Sequence, residues 1–302
     1  MNDVARPFEL RRLRLLHEFA QRGTIAEVAA ATSYSPSTVS QQLDILAREA
    51  GTALLERDGR RVRLTEAGRT LARHAARMLE LDEAAHAELA ASRGAPTVVR
   101  IAVMPTAAQA LVPRALGLLD EREPTLRLES VEMSPEEGLR ELATRAFDLV
   151  VAEQYPGHAR EFREGFDRVL LGPDPVRLAI GPDDSARDIA ELADRPWILE
   201  PRGTAVRDWA VQQCRAAGFD PDVRFEGTDL TTHIRMAAAG RAVAMLPDMV
   251  WTGDRATVRL IDLPGAPVRE IFAAVRTSSR DSRAITAVQT ALRDALAAHR
   301  PR

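Results

Sequence analysis

Between Thr24 and Gly51 the apolar residues fall into two short runs of helical spacing, separated by three polar residues. Ile25, Val28 and Ala29 share one face behind Thr24, a side chain suited to capping a helix start. Thr32-Ser33-Tyr34 predicts a turn. Ser35 followed by Pro36 then supplies an N-cap and a first-turn proline, whose missing N–H is no loss at that position. Val39, Leu43 and Leu46 recur at i, i+4 and i+7 and point inward, which leaves Ser37, Thr38, Ser40 and Gln41 near the exposed N-terminal end of the second helix. This is the layout of a helix-turn-helix, whose second helix can set such side chains against base edges or phosphates. An ordinary helical hairpin with solvated Ser and Gln shares the pattern. Upstream, Leu10, Leu13, Leu16 and Phe19 predict a supporting helix from Glu9 to Arg22, closed by Gly23.

After Gly51 the period changes. Ala53-Leu54-Leu55-Glu56 and Val62-Arg63-Leu64-Thr65 flank Arg57-Asp58-Gly59-Arg60-Arg61, which predicts a two-stranded wing turning on Asp-Gly. Arg57, Arg60, Arg61 and Arg63 lie within seven residues; those pointing away from the helices can contact phosphates or enter a minor groove, and a solvated charged hairpin is the plain alternative. Thr65 then caps a helix to about Ala91, with Ala67, Leu71, His74, Met78, Leu81 and Ala85 at alternating spacings of four and three. About 26 residues at 1.5 Å each span on the order of 40 Å. Such a seam wants a partner, and the same helix of a second subunit would hold two reading heads on a two-fold site. His74 on it reads as a packing residue, since no second ligand-type residue is spaced to help it hold a metal. Ser92-Arg93-Gly94-Ala95-Pro96 is a hinge by composition.

Beyond the hinge, strands and helices alternate: strand Val98 to Val103, helix Leu111 to Arg122, strand Leu126 to Glu132, helix Pro135 to Thr144, strand Asp148 to Ala152. The pattern repeats as strand Val176 to Ile180, helix Ala186 to Ala193, strand Trp197 to Glu200, helix Ala205 to Ala217, strand Asp222 to Glu226, helix Leu230 to Ala239 and strand Ala242 to Leu246. Two lobes built on parallel sheets are predicted. A strand Val268 to Val275 and a helix Ser282 to His299 end the chain. Ligands of open α/β sheets sit beyond the carboxyl ends of strands. That rule selects Thr106, Ser134, Thr204 and Asp229, each equally suited to capping a helix. Arg202 beside Gly203 could fork onto a carboxylate or phosphate, or be one more surface arginine. Glu153-Gln154 follow the third strand where the chain should leave the first lobe, and Gln154 joins the effector-site candidates.

Composition narrows the function. The 302 residues suffice for two or three packed units. No run of about 18 apolar residues and no charged-then-apolar leader is present, so a cytoplasmic protein away from the membrane is expected. A single cysteine, Cys214, excludes an internal disulfide, a cysteine-pair redox sensor and a cysteine-based zinc site. The net charge of −3 hides an asymmetry: residues 1–77 hold 13 arginines against 9 acidic residues, whereas residues 78–302 hold 28 against 35. The basic part is the part that reads as a DNA binder. There is no nucleophile elbow, no glycine-rich dinucleotide loop and no metal-ligand spacing, so no enzyme, cofactor or metal is expected.

In its first 70 residues the chain resembles the LysR-type transcriptional regulators. The likeness runs through Leu13, Leu16, Phe19, Gly23-Thr24, Ala29-Ala30, Val39-Ser40, Gln42-Leu43, Leu46, Gly51, Leu54-Leu55-Glu56-Arg57, Arg60, Val62, Leu64-Thr65 and Ala67-Gly68. It departs at Pro36, where many members place a base-reading glutamine, and at Ala47, where a glutamate is common. Looser likeness continues through Arg145-Ala146-Phe147-Asp148-Leu149, Cys214 to Phe219, Ala238-Ala239-Gly240 and Leu246-Pro247.

The resemblance implies an α+β chain. It comprises a winged helix-turn-helix over residues 1–64, a linker and dimerisation helix with hinge over 65–96, and a two-lobed α/β effector-binding domain, similar to periplasmic solute-binding proteins, over 97–302. It also implies that the last strand and helix return to the first lobe, that the residue matched by Arg57 is structural, and that a homodimer through the linker helix assembles into a homotetramer. The expected partners are double-stranded DNA and a small-molecule effector, with RNA polymerase a further candidate. The DNA-binding candidates are Ser35, Pro36, Ser37, Thr38, Ser40, Gln41, Arg60 and Arg61; with Pro36 in place of glutamine, base reading rests on Ser37, Thr38, Ser40 and Gln41.

Overall fold

A computed structural model describes residues 7–59, 61–93, 95–157, 165–251 and 256–299. The chain divides into two units, one of residues 1–97 with 139–146, the other of residues 98–138 with 147–302.

The first unit opens with α1 (Leu10–Arg22), whose Leu13, Leu16 and Phe19 are buried and whose last turn is closed by Gly23 at φ 85°. In α2 (Ile25–Thr32) the Thr24 hydroxyl accepts from the Glu27 N–H at 3.2 Å while donating to the Glu27 carboxylate at 2.9 Å, so one side chain fixes the helix start. Ser33 turns the chain at φ 57°, and α3 (Pro36–Ala50) buries Val39, Leu43 and Leu46. The wing pairs β1 (Leu55–Asp58) with β2 (Arg61–Leu64), antiparallel, Asp58 facing Arg61. Past β1, Gly59 turns at φ +61°, and Asp58 is still paired in the ladder, one residue beyond where an Asp-Gly turn would end the strand.

Helix α4 (Glu66–Ser92) follows, with the Thr65 hydroxyl accepting from the Gly68 N–H at 2.9 Å. A Cβ on Gly68 would stand 2.1 Å from the Leu54 carbonyl oxygen, so only glycine lets the helix start against the wing. Within this unit the His17 Nε2 donates to the Ala143 carbonyl at 2.8 Å, and Arg22 forks onto Glu141 at 2.9 and 2.9 Å.

The chain continues through β3 (Thr97–Val103), α5 (Pro105–Ala110), α6 (Val112–Arg122), β4 (Leu126–Glu132), α7 (Pro135–Ala143), whose second half belongs to the first unit, and β5 (Leu149–Gln154) into β6 (Phe166–Ile180). Then come β7 (Pro196–Leu199), α8 (Ala205–Ala216), β8 (Asp222–Glu226), α9 (Leu230–Ala238), β9 (Ala244–Pro247), β10 (Arg259–Asp262), β11 (Val268–Arg276) and α10 (Arg283–Ala297). The strand order is β10-β6-β11-β5-β3-β4, with β9 also on β6 and β7 beside β8. One apolar core gathers Ile101, Val151, Ala273 and Val288; another gathers Leu178, Trp197, Trp209 and Met245. Strand β6 serves both lobes: Phe166 to Pro175 pairs with β11, and Val176 to Ile180 pairs with β9 and β10.

The final strand and helix do return to the first lobe, through β11 on β5 and α10 in its core. Three expectations are corrected. The sheet is mixed rather than parallel: β3 and β5 run parallel, but β11 is antiparallel to both β5 and β6. The stretch Ala186 to Ala193 forms only a 3-10 turn, Ala190–Leu192, because the Asp184 and Asp188 carboxylates take the N–H groups of Ala186 and Ala190 at 3.0 and 2.9 Å. The predicted strand at Val176 begins ten residues earlier, at Phe166. Gly172, Pro173 and Pro175 lie inside it, and the ladder takes them beside a register shift between Ile271 and Phe272.

Candidate functional site

Helix α3 presents its N-terminal end through one cap. The Ser35 hydroxyl accepts from the Thr38 N–H at 3.1 Å and lies 2.8 Å from both the Ser37 and Thr38 hydroxyls. Ser35, Pro36, Ser37 and Gln41 are exposed, while Thr38 and Ser40 are half-buried. On the wing Arg61 is exposed, Arg63 pairs with Glu56 at 2.9 Å, and Arg60 lies outside the described residues. Beside them the Arg11 guanidinium stacks on the Tyr34 ring, 4.8 Å from its centroid, steadying the turn before α3. The exposed side chains offer hydroxyls, an amide and a cation, the donors and acceptors that contact phosphates and base edges.

The second unit contains a cavity of about 320 Å³ lined by the ends of β3, β4, β5 and β7 and the starts of α5, α7, α8 and α9. That volume suits a small molecule. Of the sequence candidates, Thr106, Ser134 and Thr204 line it; Gln154, Arg202 and Asp229 do not. Gln154 accepts from Arg168 at 2.5 Å, Arg202 is 85% exposed, and Asp229 caps α9 by accepting from the Thr231 N–H at 2.8 Å. Ser134 and Thr204 also cap their helices, accepting from Glu137 and Arg207 N–H groups at 3.3 and 3.4 Å.

Sequence reasoning missed much of the ionisable wall: Glu132, Glu136 and Arg269 line the cavity together with Glu153 and Glu200. Arg269 is 4% exposed and reaches Asp174 at 2.8 Å and the Thr106 hydroxyl at 2.8 Å. Burial raises the Tyr155 hydroxyl's pKa, with the Arg269 charge beside it opposing that shift. Burial, with Glu153 next, raises the Glu200 carboxyl to about 7. A smaller chamber of about 30 Å³ shares Glu153, Glu200, Val206, Leu230 and Arg269 with the main cavity and adds His233. The signal for the acidic residues was weak, because Glu200 and Glu132 are ordinary strand-end residues until the topology brings them to one hollow.

Cys214 is buried among Trp197, Trp209 and Leu199, and burial pushes its thiol up to about 12. Among the described residues no group of three or more His, Cys, Asp and Glu could hold a metal ion. No described helix is long and apolar enough to cross a membrane.

A family model described as "LysR substrate binding domain" matches residues 92–297, and one described as "Bacterial regulatory helix-turn-helix protein, lysR family" matches residues 10–69. A hydrogen peroxide-inducible genes activator of Dickeya chrysanthemi is 27% identical over 297 residues, covering 90% of this chain and 95% of that one. The DNA-binding transcriptional dual regulator OxyR of Escherichia coli strain K12 is 27% identical over 286 residues, 87% of this chain and 92% of that one. A solved full-length OxyR variant from Pseudomonas aeruginosa superposes with a TM-score of 0.66 at 21% identity, covering 95% of each chain.

Proposed function

The chain belongs to the LysR family of bacterial transcription regulators, and on that premise we propose that α3 and the wing read its DNA site while a small molecule in the 320 Å³ cavity sets how the reading heads engage it. A ligand shifts such an equilibrium only through unequal affinity for two arrangements of the protein. The observation that carries the reading is the position of the cavity, beyond the strand ends and at helix starts, where α/β sheets hold ligands.

Two of the relatives are named for induction by hydrogen peroxide or as OxyR. A response to peroxide through a disulfide would need an accessible thiolate and a second cysteine. This chain has one cysteine, buried, with its thiol near 12. Its signal is therefore a bound molecule and not a disulfide. The protein acts as a binder, not an enzyme, and works as a homodimer through α4, with a dimer of dimers the larger assembly.

Genome-wide footprinting of the full chain, with and without pools of small metabolites, tests the reading. Protected sites whose pattern changes with one pool are expected. A chain that protects no site, or protection indifferent to every pool, overturns it.

A further inference from the structure

Resting on the reading of the cavity as the effector site, we propose that helix α7 carries the state of that cavity to the reading head, through a latch whose holding residue is Arg145. The two ends of α7 belong to different units. Its start lies in the second, where Ser134, Pro135 and Glu136 line the cavity and the Ser134 hydroxyl accepts the Glu137 N–H at 3.3 Å. Gly138 seats this half on the sheet, since a Cβ there would stand 2.9 Å from Val150 Cγ1 and 3.3 Å from the Ala102 Cβ. A helix of nine residues shifts as one body, so displacement at the cavity end is displacement at the other end.

From Leu139 the chain belongs to the first unit, and side chains of α1 and α4 grip it there. On α1, Arg22 forks onto Glu141 at 2.9 and 2.9 Å and reaches the Thr144 hydroxyl at 3.4 Å, while His17 meets the Ala143 carbonyl at 2.8 Å. On α4, Glu80 and Glu83 accept from Arg145 at 2.6 Å each, and the Ala76 carbonyl accepts from it at 3.2 Å. The backbone singles Arg145 out. It closes α7 at φ 67°, with the Ala146 N–H on the Glu141 carbonyl at 3.0 Å, in the left-handed position where helix ends favour glycine. An arginine there gives up backbone ease for what its side chain does, and that side chain is only 7% exposed. A packed cluster of charged hydrogen bonds is made or broken rather than stretched, which gives the latch two states. A molecule that fits the cavity better with α7 in one position biases that choice, and with it the hold on the head.

Amide hydrogen exchange on the full chain tests the link without a ligand. Thr228→Trp sets an indole into the cavity as a fixed occupant. It should change exchange by about threefold or more across residues 79–84 of α4 and at Gly23, whose N–H closes α1 on the Phe19 carbonyl. Arg145→Gly keeps a helix end that glycine closes readily and removes only the side chain, so the same indole should leave those amides unmoved in that background. Arg145→Gly alone should raise exchange at Glu137 and Gly138, the cavity-end amides held by Ser134 at 3.3 and 2.9 Å. A response in α1 and α4 that survives Arg145→Gly overturns the proposal, and so does the absence of any response to Thr228→Trp. Should Arg145→Gly lose helix by circular dichroism, Glu80→Gln with Glu83→Gln keeps the arginine, removes the charges it holds and decides by the same comparison. These outcomes judge the link alone; footprints indifferent to every metabolite pool would strike the cavity reading instead.

Discussion

Arg269 on β11 stands directly opposite Asp174 on β6, and its Nε and Nη2 reach the same carboxylate oxygen at 2.9 and 2.8 Å. The other carboxylate oxygen accepts the Met249 N–H at 3.0 Å, so the pair is satisfied on both sides although its side chains are only 4% and 2% exposed. A buried pair of this kind holds a geometry more than it adds net stability, because desolvation offsets most of the attraction. Removing one partner is different. Arg269→Ala or Asp174→Ala strands a buried charge and should cost ~3–5 kcal/mol in urea unfolding of the second unit. The double change to Met and Leu should cost much less than the sum of the single changes, which a double-mutant cycle would read directly.

Glu200 makes the cavity sensitive to pH. Burial first, then Glu153, with Glu136 adding and Arg269 opposing, lifts its carboxyl from the ordinary 4.5 to about 7; the buried Tyr155 hydroxyl lies close enough to feel the same charges. The folded state therefore binds more protons than the unfolded chain between those values. Its contribution to stability is complete below pH 4.5 and is lost as pH rises through 7. A thermal melt should show the second unit less stable at pH 8 than at pH 6, with that difference reduced in Glu200→Gln.

How much of this was legible in the sequence differs between the two units. Reading-head helices follow from local signals, since Thr24, Ser35-Pro36 and Gly51 each fix a boundary by their own backbone chemistry. The cavity is a product of long-range pairing. Thr106, Ser134 and Thr204 could be selected by the strand-end rule, but Arg202 was favoured for its charge and the topology leaves it 85% exposed, while Arg269 was hidden in a strand that brings it inward from the far end of the chain. Antiparallel β11 escaped a reading based on alternation because a single strand does not announce its direction.

Arg61 should hold DNA through charge alone. It is exposed on β2, whereas Arg63 is drawn to Glu56. Arg61→Ala should weaken binding by a similar factor for every sequence and lower the slope of log affinity against log salt by about 1. Ser37→Ala and Gln41→Ala should instead change which sequences are preferred, with the slope unmoved. Fluorescence anisotropy across a salt series, on the footprinted site and on scrambled DNA, separates the two kinds of contact. Equal salt slopes in wild type and Arg61→Ala would remove the wing residue from the phosphate grip.

Helix α4 has two faces with different fates. Ala72, Ala75 and Leu79 are buried within the first unit, whereas Met78, Leu81 and Leu89 are 38%, 72% and 55% exposed. Apolar residues left bare along one stripe of a 27-residue helix need a cover, and a second copy of the same stripe supplies one of matching length and chemistry. Leu81→Glu puts like charges across such a seam without touching the buried face. Sedimentation velocity should then report a smaller species than wild type, circular dichroism should stay unchanged, and affinity for a two-half-site DNA should fall at least tenfold because the heads are no longer tethered. An unchanged sedimentation coefficient would mean that the stripe is covered by something other than its own copy.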